Sequence, residues 1–183
     1  MTDARRAFAA NPAAAVLATG LGAGLSPVAP GTAGSVLGLV IAWLLTSHTG
    51  ILGSPLGLLM SGLALGALGV AVTGPVARAL GREDPGCIVI DEVAGQVIAC
   101  AGAGWRPTDV IGFSSLLAWY GPWIAAFLLF RFFDVVKPLG IRRLQSLPGG
   151  WGVVADDVLA GAYAALVLIA SARFVEVVLP RWL

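Results

Sequence analysis

The chain has 183 residues, enough for one domain over 1–183, yet only 11% of them are charged and 58% are hydrophobic. Soluble globular chains carry roughly 25% charged residues, so this composition, with a mean hydropathy of +0.91, excludes an ordinary soluble fold. The net charge of +1 says little, but the placement says much: no Asp, Glu, Lys or Arg lies between Arg6 and Arg78, as expected of membrane spans.

The N-terminal stretch "MTDARRAFAANPAAAVLATG" has Arg5 and Arg6 ahead of apolar residues, as a secretory signal does. The apolar part is short and broken by Pro12, Gly20, Gly22 and Gly24, which argues against a cleaved signal. Next comes "GLSPVAPGTAGS" (24–35), a Gly/Pro loop whose Thr32 and Ser35 lead into the first apolar run. It reads either as an entry turn or as a helix start whose N–H groups bind an anion. A Walker A pattern is absent.

About five hydrophobic helices follow. They are expected near 33–46, 55–77, 91–105, 110–133 and 157–179. The third is too short to cross a hydrocarbon core of about 30 Å unless its neighbours shield its ends. The fourth carries Gly121-Pro122, a candidate kink. Because these segments are rich in Gly and Ala, close helix contact is expected. The fold class is therefore all-α: a polytopic membrane bundle with short cytoplasmic loops, since open sheet edges are not tolerated in hydrocarbon.

Threading five crossings puts Arg5, Arg6, Arg78, Arg82, Arg131, Lys137, Arg142 and Arg143 on the N-terminal side, against Arg106, Arg173 and Arg181 opposite. Basic residues collect on the cytoplasmic side, so that side is cytoplasmic. The same threading brings Asp84, Asp91, Glu92, Asp134, Asp156 and Asp157 to it.

Two acidic stretches are alike. "IDEVAGQ" (90–96) and "ADDVLAG" (155–161) each set a pair of acids at an expected helix start, followed by valine and then glycine. Capping and the helix dipole explain one carboxylate per helix. Two adjacent carboxylates repel, and a divalent cation resolves that conflict. Oxygen donors suit Mg²⁺. Zinc is disfavoured, because His48 is the sole histidine and Cys87 and Cys100 form no ligand-like cluster. His48 is expected in a loop, and "LPGGWG" (147–152) as a flexible turn. Trp105, Trp119, Trp123, Trp151 and Trp182 are expected as interfacial or packing aromatics. In "FRFFDVVKPLG" (130–140), Arg131 and Asp134 share a helix face. Lys137 precedes the Pro138 that ends the helix. These cations read as headgroup anchors or as phosphate ligands beside the acids.

Together, "SPVAPGTAGS", "DPGCIVIDEVAGQ", "FRFFDVVKPLGI" and "GGWGVVADDVLAGAYAA" resemble the phosphatidylglycerophosphatase A family, in the family's order, over about residues 24–165. The resemblance implies a magnesium-dependent lipid phosphatase of the bacterial inner membrane. Its expected reaction turns phosphatidylglycerophosphate into phosphatidylglycerol at the cytoplasmic leaflet. It places Asp91, Glu92, Asp134, Asp156 and Asp157 on the acidic motif positions. Thr32, Ser35, Arg131 and Lys137 fall on the polar ones. The five acids are expected to be catalytic and to hold Mg²⁺, with Asp84 a further candidate ligand; the four polar residues are expected to bind the substrate phosphate. The expected partner is a phospholipid within the membrane, not nucleic acid. A divalent-cation transporter is the alternative reading of convergent acids. A CDP-alcohol phosphotransferase is disfavoured because its run of aspartates along one helix is missing.

Overall fold

A computed structural model describes residues 8–9, 11–48, 50–82, 85–103, 114–138 and 140–178. Among them every regular element is helical. In chain order these are α1 (Pro12–Ala18), a 3₁₀ turn (Ala23–Leu25), α2 (Pro30–His48), α3 (Pro55–Leu80), α4 (Ile90–Ala103), α5 (Ser114–Val136), α6 (Ile141–Leu144) and α7 (Gly150–Val178). The all-α bundle expected from composition is what forms. Three of the helices, α2, α3 and α7, are long and apolar enough to cross a membrane.

The bundle is built around α4. At 14 residues it measures roughly 21 Å at 1.5 Å per residue, too short for a 30 Å core. Every residue of α4 except Glu92 is buried, because α2, α3, α5 and α7 all pack on it. The shielding that so short a segment requires is therefore present. Small residues make that packing possible. Gly62, Gly66 and Gly69 of α3 lie against Ile98, Val158 and Val154, and Ile90 of the neighbouring helices. On the outside, apolar side chains recur at helical spacing: Val36, Val40 and Trp43 on α2; Leu56, Met60 and Leu63 on α3; Ile124, Leu128 and Phe132 on α5. Such a mantle would be an aggregation surface in water and suits lipid.

Several boundaries differ from expectation. Pro12 begins a helix: it sits at the first position of α1, and the Asn11 side chain caps the turn by accepting from the Ala14 N–H at 3.0 Å. Proline at N1 costs no hydrogen bond. The buried face of α1 (Ala14, Ala15, Ala18) packs with Val72, Val76 and Leu80 of α3 and with Ile88. The Val89 N–H, just before α4, donates to the Ala18 carbonyl at 2.9 Å. His48 ends α2 instead of lying in a loop, and α5 runs through Pro122 as one element. Trp123 is buried and Trp151 exposed, whereas Trp105 and Trp182, and the side chain of Trp119, lie outside the described residues.

The largest correction concerns α7. It starts at Gly150, and its first turn contains no acid. Asp156 and Asp157 therefore lie almost two turns inside the helix, so neither caps it. The turn expected over 147–152 is half helix, because Gly150 and Gly152 are packing positions. A Cβ on the first would strike the Val70 carbonyl, and one on the second the Leu147 carbonyl.

Candidate functional site

The C-terminal ends of α3 and α5 and the N-terminal ends of α4 and α7 meet at one end of the bundle. They enclose a cavity of about 750 Å³ whose lining includes Asp91, Glu92, Asp134, Lys137, Asp156 and Asp157. Three sequence-distant acidic stretches thus share one wall.

The two acidic pairs arrive differently. Asp91 and Glu92 occupy the first turn of α4, where the unpaired N–H groups favour negative charge. Asp157 comes from within α7, one turn before Gly161, as Asp91 comes one turn before Gly95. The two glycines bring the helices into backbone contact: a Cβ on Gly161 would collide with the Gly95 carbonyl. That approach carries the aspartates together. Asp91, Glu92 and Asp157 can each present an oxygen such that all three lie within 4.8 Å of one another.

Asp134 and Asp156 border that triad and are themselves tied to cations. Arg131 Nη1 contacts Asp134 Oδ2 at 2.6 Å, and Lys137 Nζ lies 3.6 Å from Asp134 Oδ1. Lys137 Nζ also makes a short ion pair with Asp156 Oδ2. Asp134 in turn faces Glu92 and Asp157. Burial pulls the Lys137 ammonium toward lower pKa, but the Asp156, Asp157 and Asp134 carboxylates outweigh it and leave the group above its ordinary value. Lys137 adopts a left-handed conformation (φ 50) that non-glycine residues rarely take and that a following proline ordinarily disfavours. Its N–H still closes the last turn of α5 on the Phe133 carbonyl at 2.8 Å.

Ser35 and Thr32 are not in the lining of the cavity. The Ser35 hydroxyl donates to the Gly31 carbonyl at 2.9 Å, and Arg131 Nη1 approaches its oxygen only at 3.5 Å. Thr32 is half-buried in the first turn of α2. What the "GTAGS" segment contributes directly is Gly31, where a Cβ would run into the Glu92 carboxylate. Asp84 lies outside the described residues.

Sequence reasoning passed over Arg78, Arg82 and Thr73, which also line the cavity. In the sequence the arginines carry only a topology signal, and Thr73 sits in an apolar run with no spacing to mark it. Thr73 Oγ1 is buried with no hydrogen-bond partner, as are Asp91 Oδ1, Glu92 Oε2 and Asp156 Oδ1. Buried polar atoms are nearly always satisfied, and these three carboxylate oxygens on one wall have no partner among the described residues. A hard divalent ion, which accepts carboxylate oxygens and keeps several waters, fits this donor set.

Residues 16–172 match the family described as phosphatidylglycerophosphatase A. A relative from Bacteroides thetaiotaomicron, named "Putative phosphatidylinositol-3-phosphatase", is 39% identical over 87% of this chain and 93% of its own. A phosphatidylglycerophosphatase A from Haemophilus influenzae is 39% identical over 85% of this chain and 86% of its own. One from Escherichia coli is 35% identical over 84% and 80%. No solved structure matches significantly. With the family match running through every helix that bounds the cavity, the chain belongs to the phosphatidylglycerophosphatase A family.

Proposed function

We propose that this chain is a magnesium-dependent phosphatase that hydrolyses the phosphomonoester of phosphatidylglycerophosphate, giving phosphatidylglycerol and phosphate. The observation that carries this reading is the meeting of the Asp91–Glu92–Asp157 triad with Lys137 on the wall of one cavity. Phosphoryl transfer is mainly a matter of position and of charge neutralisation, and both kinds of group are at hand.

In this reading Asp91, Glu92 and Asp157 would hold Mg²⁺. Such an ion supplies Lewis acidity to phosphoryl oxygens and lowers the pKa of bound water. The chain's own residues do the rest. Asp134 orients Arg131 and Lys137, and the Lys137 ammonium on the cavity wall offsets the charge of the phosphoryl group. Asp156 holds Lys137 through one oxygen and keeps the other unpartnered, an acceptor for the proton of attacking water. Arg131 acts through Asp134, with the Ser35 hydroxyl beside its guanidinium.

The two lipids named for the relatives have a feature in common: a phosphomonoester on a headgroup that a phosphodiester joins to diacylglycerol. Phosphatidylglycerophosphate is favoured because two of those three relatives bear its name. The expected setting is the bacterial inner membrane with the cavity on the cytoplasmic leaflet, as Arg78, Arg82, Lys137, Arg142 and Arg143 all lie toward that end of the chain's threading. A cation transporter would need acids along a path through the bundle, whereas these gather at one end.

The test is phosphate release from phosphatidylglycerophosphate by purified protein, with Mg²⁺ and with EDTA, beside Asp91→Asn, and in inside-out against right-side-out vesicles. Activity should need Mg²⁺, fall at least a hundredfold in the variant, and reach external substrate only in inside-out vesicles. A wild-type protein inactive with Mg²⁺ would sink the proposal.

A further inference from the structure

The proposed hydrolysis leaves part of the cavity unused. Arg78 in the last turn of α3 and Arg82 just beyond it line the cavity, and with Lys137 they are its cationic lining among the described residues. Lys137 is held by Asp156 and Asp134. Thr73, five residues before Arg78 on the same helix, adds a buried hydroxyl with no partner to the lining. The remaining charged residues of the lining are five carboxylates.

A headgroup carrying both a phosphomonoester and a phosphodiester brings two anionic centres into this space. Even if a cation and Lys137 accommodate the first, the second is repelled by the carboxylates unless it lies by another positive group. The guanidinium fork matches two phosphate oxygens at once, and a cavity of about 750 Å³ falls within the range of small-ligand sites. We propose that Arg78, with Arg82 beside it and Thr73 at its base, binds the phosphodiester of the lipid headgroup. The enzyme thereby prefers lipids with both phosphates over those with a phosphomonoester alone. This rests on the phosphatase reading above and names what that reading leaves open, the basis of headgroup selection. The competing role for Arg78 is structural: a cation in the last turn of α3 complements the helix dipole without touching substrate.

Selectivity separates the two. Initial rates are measured for wild type, Arg78→Gln, Arg78→Lys and the Arg78→Gln/Arg82→Gln double variant. The substrates are phosphatidylglycerophosphate and phosphatidic acid, whose phosphate is a monoester attached directly to diacylglycerol. Arg78→Gln should raise KM for the two-phosphate lipid by roughly tenfold to a hundredfold, the loss expected of a charged hydrogen bond, with a smaller effect on kcat. The preference for that lipid over phosphatidic acid should collapse by a similar factor, and Arg78→Lys should recover part of it. An equal loss on both lipids, or an unchanged ratio, overturns the proposal. Calorimetric titration of short-chain phosphatidylglycerophosphate in EDTA gives a readout without turnover. Binding that weakens in the variant, with no hydrolysis by wild type, would fell the phosphatase reading and keep this one. Equal binding by wild type and variant overturns it.

Discussion

Gly95 of α4 and Gly161 of α7 touch backbone to backbone, one turn below Asp91 and Asp157 respectively, so the helix crossing sets the spacing of the two carboxylates. A side chain at either position must push the helices apart. On Gly95 a Cβ would meet the Asp157 carbonyl at 2.6 Å and Phe130 Cε2 at 2.5 Å. Backbone and a packed ring cannot yield as a flexible side chain can.

Gly161→Ala should therefore destabilise the protein by about 1–3 kcal/mol, the usual cost of overpacking, and lower activity more than its loss of fold explains. Gly121→Ala is the control, since a Cβ there meets nothing within 4 Å and alanine favours helix. Thermal unfolding in detergent checks both. If Gly161→Ala melts with wild type while Gly121→Ala does not exceed it, the crossing does not set the site.

The triad itself makes a prediction that needs no substrate. Three carboxylates with oxygens within 4.8 Å of one another repel when no cation is bound, and a ligand that binds only the folded state stabilises it by about 2.7 kcal/mol at a hundred times its Kd. Mg²⁺ should raise the melting temperature of wild type, and Asp157→Asn should abolish most of that rise while melting no lower than wild type in EDTA. Equal stabilisation of wild type, Asp91→Asn and Asp157→Asn by Mg²⁺ would place the ion elsewhere.

How much of this was legible in the sequence depends on the kind of information involved. Charge is scarce in this chain, so each acid stands out, and threading alone assembled Asp91, Glu92, Asp134, Asp156 and Asp157 at one end. The short third segment also declared that it needed shielding, which α2, α3, α5 and α7 supply. Helix starts were harder. Gly149-Gly150 and Pro12 read as breaks, but Gly150 is small because Val70 lies against it, and Pro12 opens a capped helix. Least legible was how the five acids divide. Spacing puts carboxylates on a face but does not say that Asp134 and Asp156 reach cations while Asp91, Glu92 and Asp157 face each other. Those outcomes depend on rotamers and on the crossing of α4 and α7. The sequence makes Arg78 and Arg82 signals of orientation, and their place in the cavity wall follows only from the packing of α3 on α4.

That division also makes the Lys137–Asp156 pair separable from the triad. Asp156 is 3% exposed at its side chain and Lys137 20%, so removing the lysine leaves a buried carboxylate whose other oxygen already lacks a partner. Lys137→Met should cost about 1–3 kcal/mol, the penalty of leaving a buried polar group unsatisfied. Asp156→Asn should cost less, because the amide keeps the shape without the charge. In the double variant Lys137→Met/Asp156→Asn stability should return part of the way, giving a coupling of about 0.5–3 kcal/mol. Additive losses would mean that the two side chains act independently. Activity should not return with stability, since the phosphoryl group then meets no ammonium on that wall. A double variant restored in both would show that Lys137 serves the fold alone.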